Sequence, residues 1–339
     1  MKILFELGHP AHLHLFKNFI IYLNNTNHFT LATTRKKDAL ISLIEHYQFN
    51  YINVSQSLNS IFGKIYELAE RDIKHFLLFF KYKFDCGFGS SESISHLSFL
   101  TKFKSYHFDE DDDCVVPLSA NIGYPFFTKI INPECLQFSK WKDKRILHSS
   151  YHELAYLHPN NFIPDKTILR KYNLKEKQYV IMRLSALKAH HDVGAQGISK
   201  ETSNKIENII AKYTVIKSIE NEKTHLIEPW DMHHLLNYAK LIISDSQTMT
   251  AEAAVLGVPS IRINTFVGKL SYLEELENKY GLTYGFKPEN VDEALTKIKE
   301  FIDMTNLEEI FQIKREKMLS EKVDLNQWMI DYFEKEINK

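Results

Sequence analysis

Cysteine is scarce in this 339-residue chain: Cys86, Cys114 and Cys135 are an odd number without metal-like spacing. That excludes a disulfide framework and fits buried free thiols in a reducing compartment. An excess of one charge is also lacking, since 42 Lys+Arg stand against 43 Asp+Glu for a net charge of −1. Nucleic acid, which calls for a strongly basic surface, is therefore not expected as a partner. Long hydrophobic runs are missing as well. The greasiest stretch, Phe76–Phe80, is bracketed by Lys74, His75, Lys81 and Lys83 and falls far short of a bilayer span. The opening Lys2-Ile3-Leu4-Phe5-Glu6-Leu7 reads as a strand, without the apolar core of a signal peptide. These absences predict a cytoplasmic protein with no transmembrane segment. Internal repeats and low-complexity segments are absent too.

What remains is an ordinary globular composition, 44% hydrophobic and 25% charged, at about twice the usual domain length. Hydrophobic runs alternate with helical patterns. In the first half the strands fall at 3–7, 29–33, 51–54, 86–89, 105–108 and 129–132, with helices at 13–23, 37–47, 58–82 and 92–101. From Ser139 to Tyr172 the periodicity fades among His148, Ser149, Ser150, Pro159, Asn160, Asn161 and Pro164, which reads as an interdomain linker. The pattern restarts with strands at 179–184, 214–218, 241–244, 260–263 and 282–286. It ends in helices at 291–302, 307–321 and 325–337. Strands joined by helical crossovers predict parallel sheets covered on both faces. The expected division is an N-terminal Rossmann-like domain at 1–155, a C-terminal one at 165–320 and a final helix at 321–339. Each sheet should present its strand C-termini to a central cleft, where such folds bind ligands.

The most informative stretch runs from Leu241 to Arg262: a buried strand, a polar turn, a short helix at 247–256, then Gly257 and Pro259 ending it before a second strand. Asp245 or Ser246 is the natural N-cap. The free N–H groups of the first turn, with the hydroxyls of Ser246, Thr248 and Thr250, would suit an anion. Glu252, four residues after Thr248, shares its helix face and would accept from a ribose diol. The plainer alternative makes Asp245 a simple cap and Glu252 a solvated acid.

In the first half, Gly8-His9-Pro10-Ala11-His12 follows the first strand, and Gly8 would let a substrate approach the backbone. His9, His12 and His14 lack the further ligands of a closed metal site, so no metal is expected. His9 or His12 is the better candidate for a polar or general-base group, and His14 reads as a histidine on a helix flank. Asp109 follows the fifth strand and is a second candidate base, with Asp111–Asp113 reading as a solvated loop. His191 and Asp192, in a glycine-flanked loop, are a further choice for chemistry or for a polar hinge. The segment Lys64–Lys83 reads first as a helix packed on its own sheet. Its basic, aromatic character also suits peripheral contact with the inner face of the cell membrane.

The words around these residues resemble the DUF354 family, related to the GT-B glycosyltransferases and the UDP-N-acetylglucosamine 2-epimerases. Ser244-Asp-Ser-Gln-Thr-Met-Thr-Ala-Glu-Ala-Ala-Val-Leu-Gly-Val-Pro259 is similar to its C-terminal signature. Phe5-Glu-Leu-Gly-His-Pro-Ala-His-Leu-His-Leu-Phe-Lys17 resembles its first strand and loop. Glu153–Pro159, Met182–Ser185, Ala189–Gly194 and Gly268–Leu282 match further pieces, so the resemblance covers nearly the whole chain. It implies a GT-B-like α/β fold whose last helix crosses back to the N-terminal domain. It also implies a nucleotide-sugar donor held by the C-terminal domain. Arg183 would pair with the diphosphate. Ser185, Asp245, Ser246, Gln247 and Thr248 would line the phosphates, Glu252 the ribose, and the segment 226–234 the base, with Trp230 read as ordinary packing.

Three functions follow. A glycosyltransferase would move a sugar to a glycan or lipid-linked acceptor in surface polysaccharide biosynthesis, with no cofactor beyond the donor substrate. A sugar-nucleotide 2-epimerase or hydrolase on the same fold is the second. It is weakened because Gly8-His9-Pro10 replaces the epimerases' Gly-x-Arg element and no His-x-Glu-Ala-Gly-Leu-Arg run follows Tyr106. A non-catalytic nucleotide-sugar binding protein is the third.

Overall fold

The structure, a computed structural model of the whole chain, describes residues 1–36, 38–56, 60–184, 196–219 and 227–337. It divides into two compact units, Met1–Tyr156 with Val323–Lys339, and Leu157–Lys322.

In the first unit the order is β1 (Lys2–Leu7), α1 (Pro10–Asn25), β2 (Phe29–Lys36), α2 (Asp38–His46), β3 (Tyr51–Gln56) and α3 (Ile61–Tyr82). There follow β4 (Cys86–Gly89), α4 (Glu92–Leu100), β5 (Lys104–Phe108), α5 (Pro117–Ile122), β6 (Lys129–Pro133) and β7 (Arg145–His148). All seven strands are parallel, in the order β3-β2-β1-β4-β5-β6-β7. The interior strand β1 shows what holds the layer together. Ile3, Leu4, Phe5 and Leu7 are wholly buried, as a strand covered on both faces requires. Phe5 stacks on Phe88 of β4 at 5.5 Å and meets Phe16 of α1 at 5.4 Å.

The second unit holds α6 (Ile168–Lys171), β8 (Tyr179–Leu184), α7 (Lys200–Ile209), β9 (Thr214–Ile219), α8 (Met232–Tyr238) and β10 (Leu241–Ser244). It continues with α9 (Gln247–Val255), β11 (Ser260–Ile263), α10 (Ser271–Glu274), β12 (Thr283–Phe286), α11 (Val291–Asp303) and α12 (Leu307–Glu321). Its five parallel strands run β12-β11-β10-β8-β9. Gly257 ends α9 with φ +70°, and a side chain there would also strike Gln312 and Arg315 of α12. The last helix, α13 (Leu325–Tyr332), returns to the first unit. Val323 N–H donates to Ser149 O at 2.9 Å, and Phe333 packs edge-on to Phe19 of α1.

One expectation needs correction, and a second gains a detail. The stretch read as linker contains β7, an edge strand whose Leu147 is half exposed, so the sheet extends past the point where periodicity fades. The helix at Lys64–Lys83 does pack on its sheet, but with its polar side. Glu67, Arg71 and His75 of α3 are buried, whereas Phe62, Ile65, Tyr66, Ile73, Leu77 and Phe80 face solvent. The reason is that the buried set finds partners at the strand ends. Arg35 Nε bonds Glu67 at 2.6 Å, Arg71 bonds Ser91 Oγ at 2.7 Å and lies 3.4 Å from Glu6, and His75 Nε2 meets Thr33 Oγ1 at 2.8 Å. Burial, assisted by the Arg71 charge, drives His75 down to about 3, so its ring is neutral.

Candidate functional site

In the second unit, β10 leads through Asp245 and Ser246 into α9. Ser246 is the N-cap, its Oγ accepting from Met249 N–H at 3.4 Å, while its own N–H is held by Ser244 Oγ at 2.8 Å. Asp245 does a different job. Its carboxylate accepts from Ile198 N–H at 3.3 Å, and its carbonyl takes Asn264 Nδ2 at 2.8 Å. Gly197 presses against it so closely that a Cβ would stand 2.3 Å from Asp245 Oδ2. Asp245 thus ties the 196–198 segment and β11 to the start of α9.

Gln247 and Thr248 lie half-buried in the first turn of α9. Thr250 was expected to offer its hydroxyl as well, but it is fully buried and donates to Ser246 O at 2.7 Å. A threonine four residues into a helix reaches its own backbone more easily than a ligand. Glu252 is not a solvated acid. It is buried, and its Oε1 meets Nε2 of His233 on α8 at 2.9 Å. The neighbouring Asp231 accepts from Lys171 Nζ at 2.6 Å and Tyr172 OH at 2.7 Å, and His234 Nδ1 accepts from Asp165 N–H. This fixes 228–234 to α6, with Trp230 half-buried. Arg183 closes β8, pairs in register with Ser244, and donates to Ser218 Oγ of β9 at 2.6 Å. Ser185, His191, Asp192 and Leu226 lie outside the described residues.

Arg262 escaped the sequence reading. It sits on β11 beside Ser244, fully buried, its three guanidinium nitrogens without a hydrogen bond to any described residue. The closest carboxylate, Glu274, is 3.8 Å away. Burial pushes the Arg262 group below the ordinary arginine range, against the pull of Tyr272, Glu277 and Glu274. A charged residue inside an apolar strand was the available signal.

In the first unit the C-terminal strand ends gather a second cluster. His9 caps α1, its Nδ1 accepting from Ala11 N–H, and His12 Nδ1 accepts from Gly8 N–H, both at 3.2 Å. That bond assigns the neutral His12 tautomer with its proton on Nε2. A Cβ on Gly8 would meet ordinary contacts with Arg35 and His12, so the glycine is not forced by space. His14 is buried and stacks on Tyr156 at 5.3 Å.

Asp109, just past β5, is clasped. Oδ1 accepts from Asp111 N–H at 3.0 Å, and Oδ2 receives His107 Nε2 at 3.2 Å and a short bond from Tyr124 OH. Burial raises this carboxyl, but the His107 bond and charge, then Tyr124 and the Asp111 amide, outweigh it and hold Asp109 below its usual range. Such a group is a poor proton acceptor. His152 lies nearby, within electrostatic reach of Asp109, His12 and His107; burial takes it down to about 3. His12 and Asp109 therefore belong to one cluster.

The Asp111–Asp113 loop is not solvated as expected. Asp112 and Asp113 are buried because they staple a distant loop: Gln137 N–H bonds Asp112 at 2.6 Å, and Ser139 N–H and Lys140 N–H bond Asp113 at 2.7 and 3.1 Å. Asp111 differs again. Burial, with Asp109 and Asp112 beside it, raises it to about 7. Glu110 is also raised, by burial and then by Glu153, though it accepts His152 N–H at 2.8 Å. The cluster therefore pairs an ionised Asp109 with an Asp111 poised near neutrality, a difference that proton transfer can use.

Two parallel-sheet α/β units with a returning C-terminal helix define a GT-B fold, and solved structures agree. The chain is similar to Staphylococcus aureus MnaA in a co-structure with UDP, with TM-score 0.69 and 12% identity over 99% of this chain and 97% of that one. It is similar to the UDP-GlcNAc 2-epimerase from Neisseria meningitidis bound to UDP-GlcNAc, with TM-score 0.66 and 14% identity over 94% and 100%. The glycosyltransferase SsfS6 from Streptomyces sp. SF2575, complexed with thymidine diphosphate, gives TM-score 0.63 and 9% identity over 98% and 99%. Identities this low speak for the fold alone. A search of curated proteins finds no match. The signature of the family described as "Protein of unknown function (DUF354)" spans residues 1–275, and the chain belongs to that family.

Proposed function

We propose that this protein is a GT-B-type glycosyltransferase that takes a sugar from a nucleotide-sugar donor to a glycan or lipid-linked acceptor in surface polysaccharide biosynthesis. The observation that carries the reading is the strand–Ser246–α9 turn, backed by Glu252 locked to His233. The donor's diphosphate would meet the first-turn N–H groups, Gln247 and Thr248, with Arg183 completing the charge. Glu252, its orientation fixed by His233, would accept from the ribose hydroxyls. Stabilising the departing diphosphate is the larger part of the catalysis, and no metal is needed where helix end and guanidinium supply the field. The first unit would supply the base that deprotonates the acceptor hydroxyl. Among His9, His12, Asp109 and His191, the clasped Asp109 is held below its usual range and so is a poor base, and its neighbour Asp111 joins the candidates. Solved proteins of this fold bound to UDP, UDP-GlcNAc and thymidine diphosphate support the donor class.

A second reading, a sugar-nucleotide 2-epimerase, is favoured by one feature: Asp111, raised to about 7 at the strand ends of the first unit, could both give and take a proton near neutral pH. Thermal-shift titration with UDP, UDP-sugars and thymidine diphosphate tests the donor site. Saturation at about 100 times the dissociation constant should stabilise the protein by roughly 2.7 kcal/mol, and Arg183→Ala should abolish the shift. No shift with any nucleotide would sink both readings. Incubation of the bound sugar nucleotide in deuterated water without acceptor separates them: deuterium entering at the sugar's C2 means epimerase, and an inert donor means transferase.

A further inference from the structure

The outward face of α3 is inverted relative to an ordinary surface helix, with charge inside and hydrocarbon outside. Phe62 is 85% exposed, and Ile65, Tyr66, Ile73, Leu77 and Phe80 are all above 60%. Ala69 is exposed and Phe76 half-buried on the same stripe. At 3.6 residues per turn these positions lie on one face along the full 22-residue helix. A stripe of this size on a monomer marks an interaction surface.

We infer that this stripe is the two-fold interface of a homodimer, in which α3 pairs antiparallel with α3 of a second copy. The spacing of the stripe is symmetric about Arg71, which faces inward. Turned end for end, the helix sets Phe62 opposite Phe80, Ile65 opposite Leu77, Tyr66 opposite Phe76 and Ala69 opposite Ile73. Self-complementarity of this kind is what an isologous contact demands, each position meeting its counterpart twice. The small Ala69 gives Ile73 of the facing helix room at the centre, where helices approach to about 8–10 Å. The stripe offers on the order of 800 Å², the share one partner contributes to a standard stable interface.

Charge separates this occupant from a lipid surface. The acids and bases flanking the stripe neutralise one another within the chain, Lys74 with Glu70 at 2.6 Å and His96 with Asp72 at 2.9 Å. The exposed Lys81 and Lys83 sit at one end of α3. The antiparallel pairing carries the two lysine ends to opposite extremes, further apart than the Debye length of about 8 Å. The inference stands independently of the proposed reaction.

Sedimentation velocity and light scattering of the full chain over the micromolar range test it. The expected species has twice the 39.8 kDa mass of the chain, and Ile73→Asp should leave a monomer with an unchanged circular dichroism spectrum. Phe62→Lys and Phe80→Glu should each weaken the dimer at least about tenfold. The double variant should recover much of it, because each lysine then faces a glutamate of the other copy. A wild-type monomer, or a dimer indifferent to Ile73→Asp, overturns the inference. A monomer that binds phosphatidylserine vesicles through the same residues also overturns it and gives the face to a membrane.

Discussion

Asp109 and Asp245 occupy the same place in their units, the first residue or two past a central parallel strand, and are built for different work. Asp109 is clasped by the side chains of His107 and Tyr124 and is followed by acids. Asp245 is held by a backbone N–H and an asparagine and is followed by the open first turn of a helix. On the proposed reading the first arrangement would handle protons, while the second would offer fixed partial positive charge. One topological position thus yields two chemistries, and the neighbours decide which.

The contrast can be broken at several points. The largest effect is expected from Glu252→Ala. Leaving the buried His233 without its carboxylate acceptor should cost about 2–3 kcal/mol, read by chemical denaturation, while Glu252→Gln should keep most of the stability. Equal losses in the two variants would mean that the carboxylate charge, which both variants lack, and not the volume of the side chain, carries the effect. Gly197→Ala comes next, at about 2 kcal/mol, because the methyl would force Asp245 from its partners. An unchanged melting temperature there would show that the 196–198 segment yields freely.

Asp111→Asn should act through pH. A carboxyl raised to about 7 when folded contributes stability that is complete below its unfolded value near 4 and lost as pH rises through 7. The asparagine variant should therefore gain stability relative to wild type as pH rises from about 4 to 8, with the pH-dependent gain gone below pH 4. A difference that does not vary with pH would remove Asp111 from the proton-handling group. The smallest effect is Ser246→Ala, about 1 kcal/mol for a lost cap, with a diminished nucleotide-induced thermal shift.

Much of the architecture was legible because buried parallel strands are short apolar runs cut by glycine and serine. Cys86–Gly89, Tyr179–Leu184, Leu241–Ser244 and Ser260–Ile263 have the bounds the pattern implies. Arg145–His148 was not legible: an edge strand with an arginine and a histidine at its ends and a half-exposed leucine carries little hydrophobic signal. In α3 periodicity located the helix but could not say which side turns inward. That choice rests on Glu6, Arg35 and Ser91, remote in sequence. The same holds for Asp112 and Asp113, whose amide partners lie about the 137–140 bend. At the candidate sites the strand–cap–helix grammar of Ser246 was readable, while the His233 partner of Glu252 and the raised Asp111 emerge only once distant groups converge.

The return of α13 has a consequence for how the chain is made. The unit Leu157–Lys322 is one unbroken segment, so a ribosome delivers everything it needs before the closing residues of the other unit exist. The seven-stranded unit comes first in the message and is completed last. Until Val323 reaches Ser149 and Trp328 reaches His148, α1 keeps an apolar flank uncovered. The order of synthesis and the order of completion are inverted, and the nascent chain carries an unfinished first unit through the birth of the second.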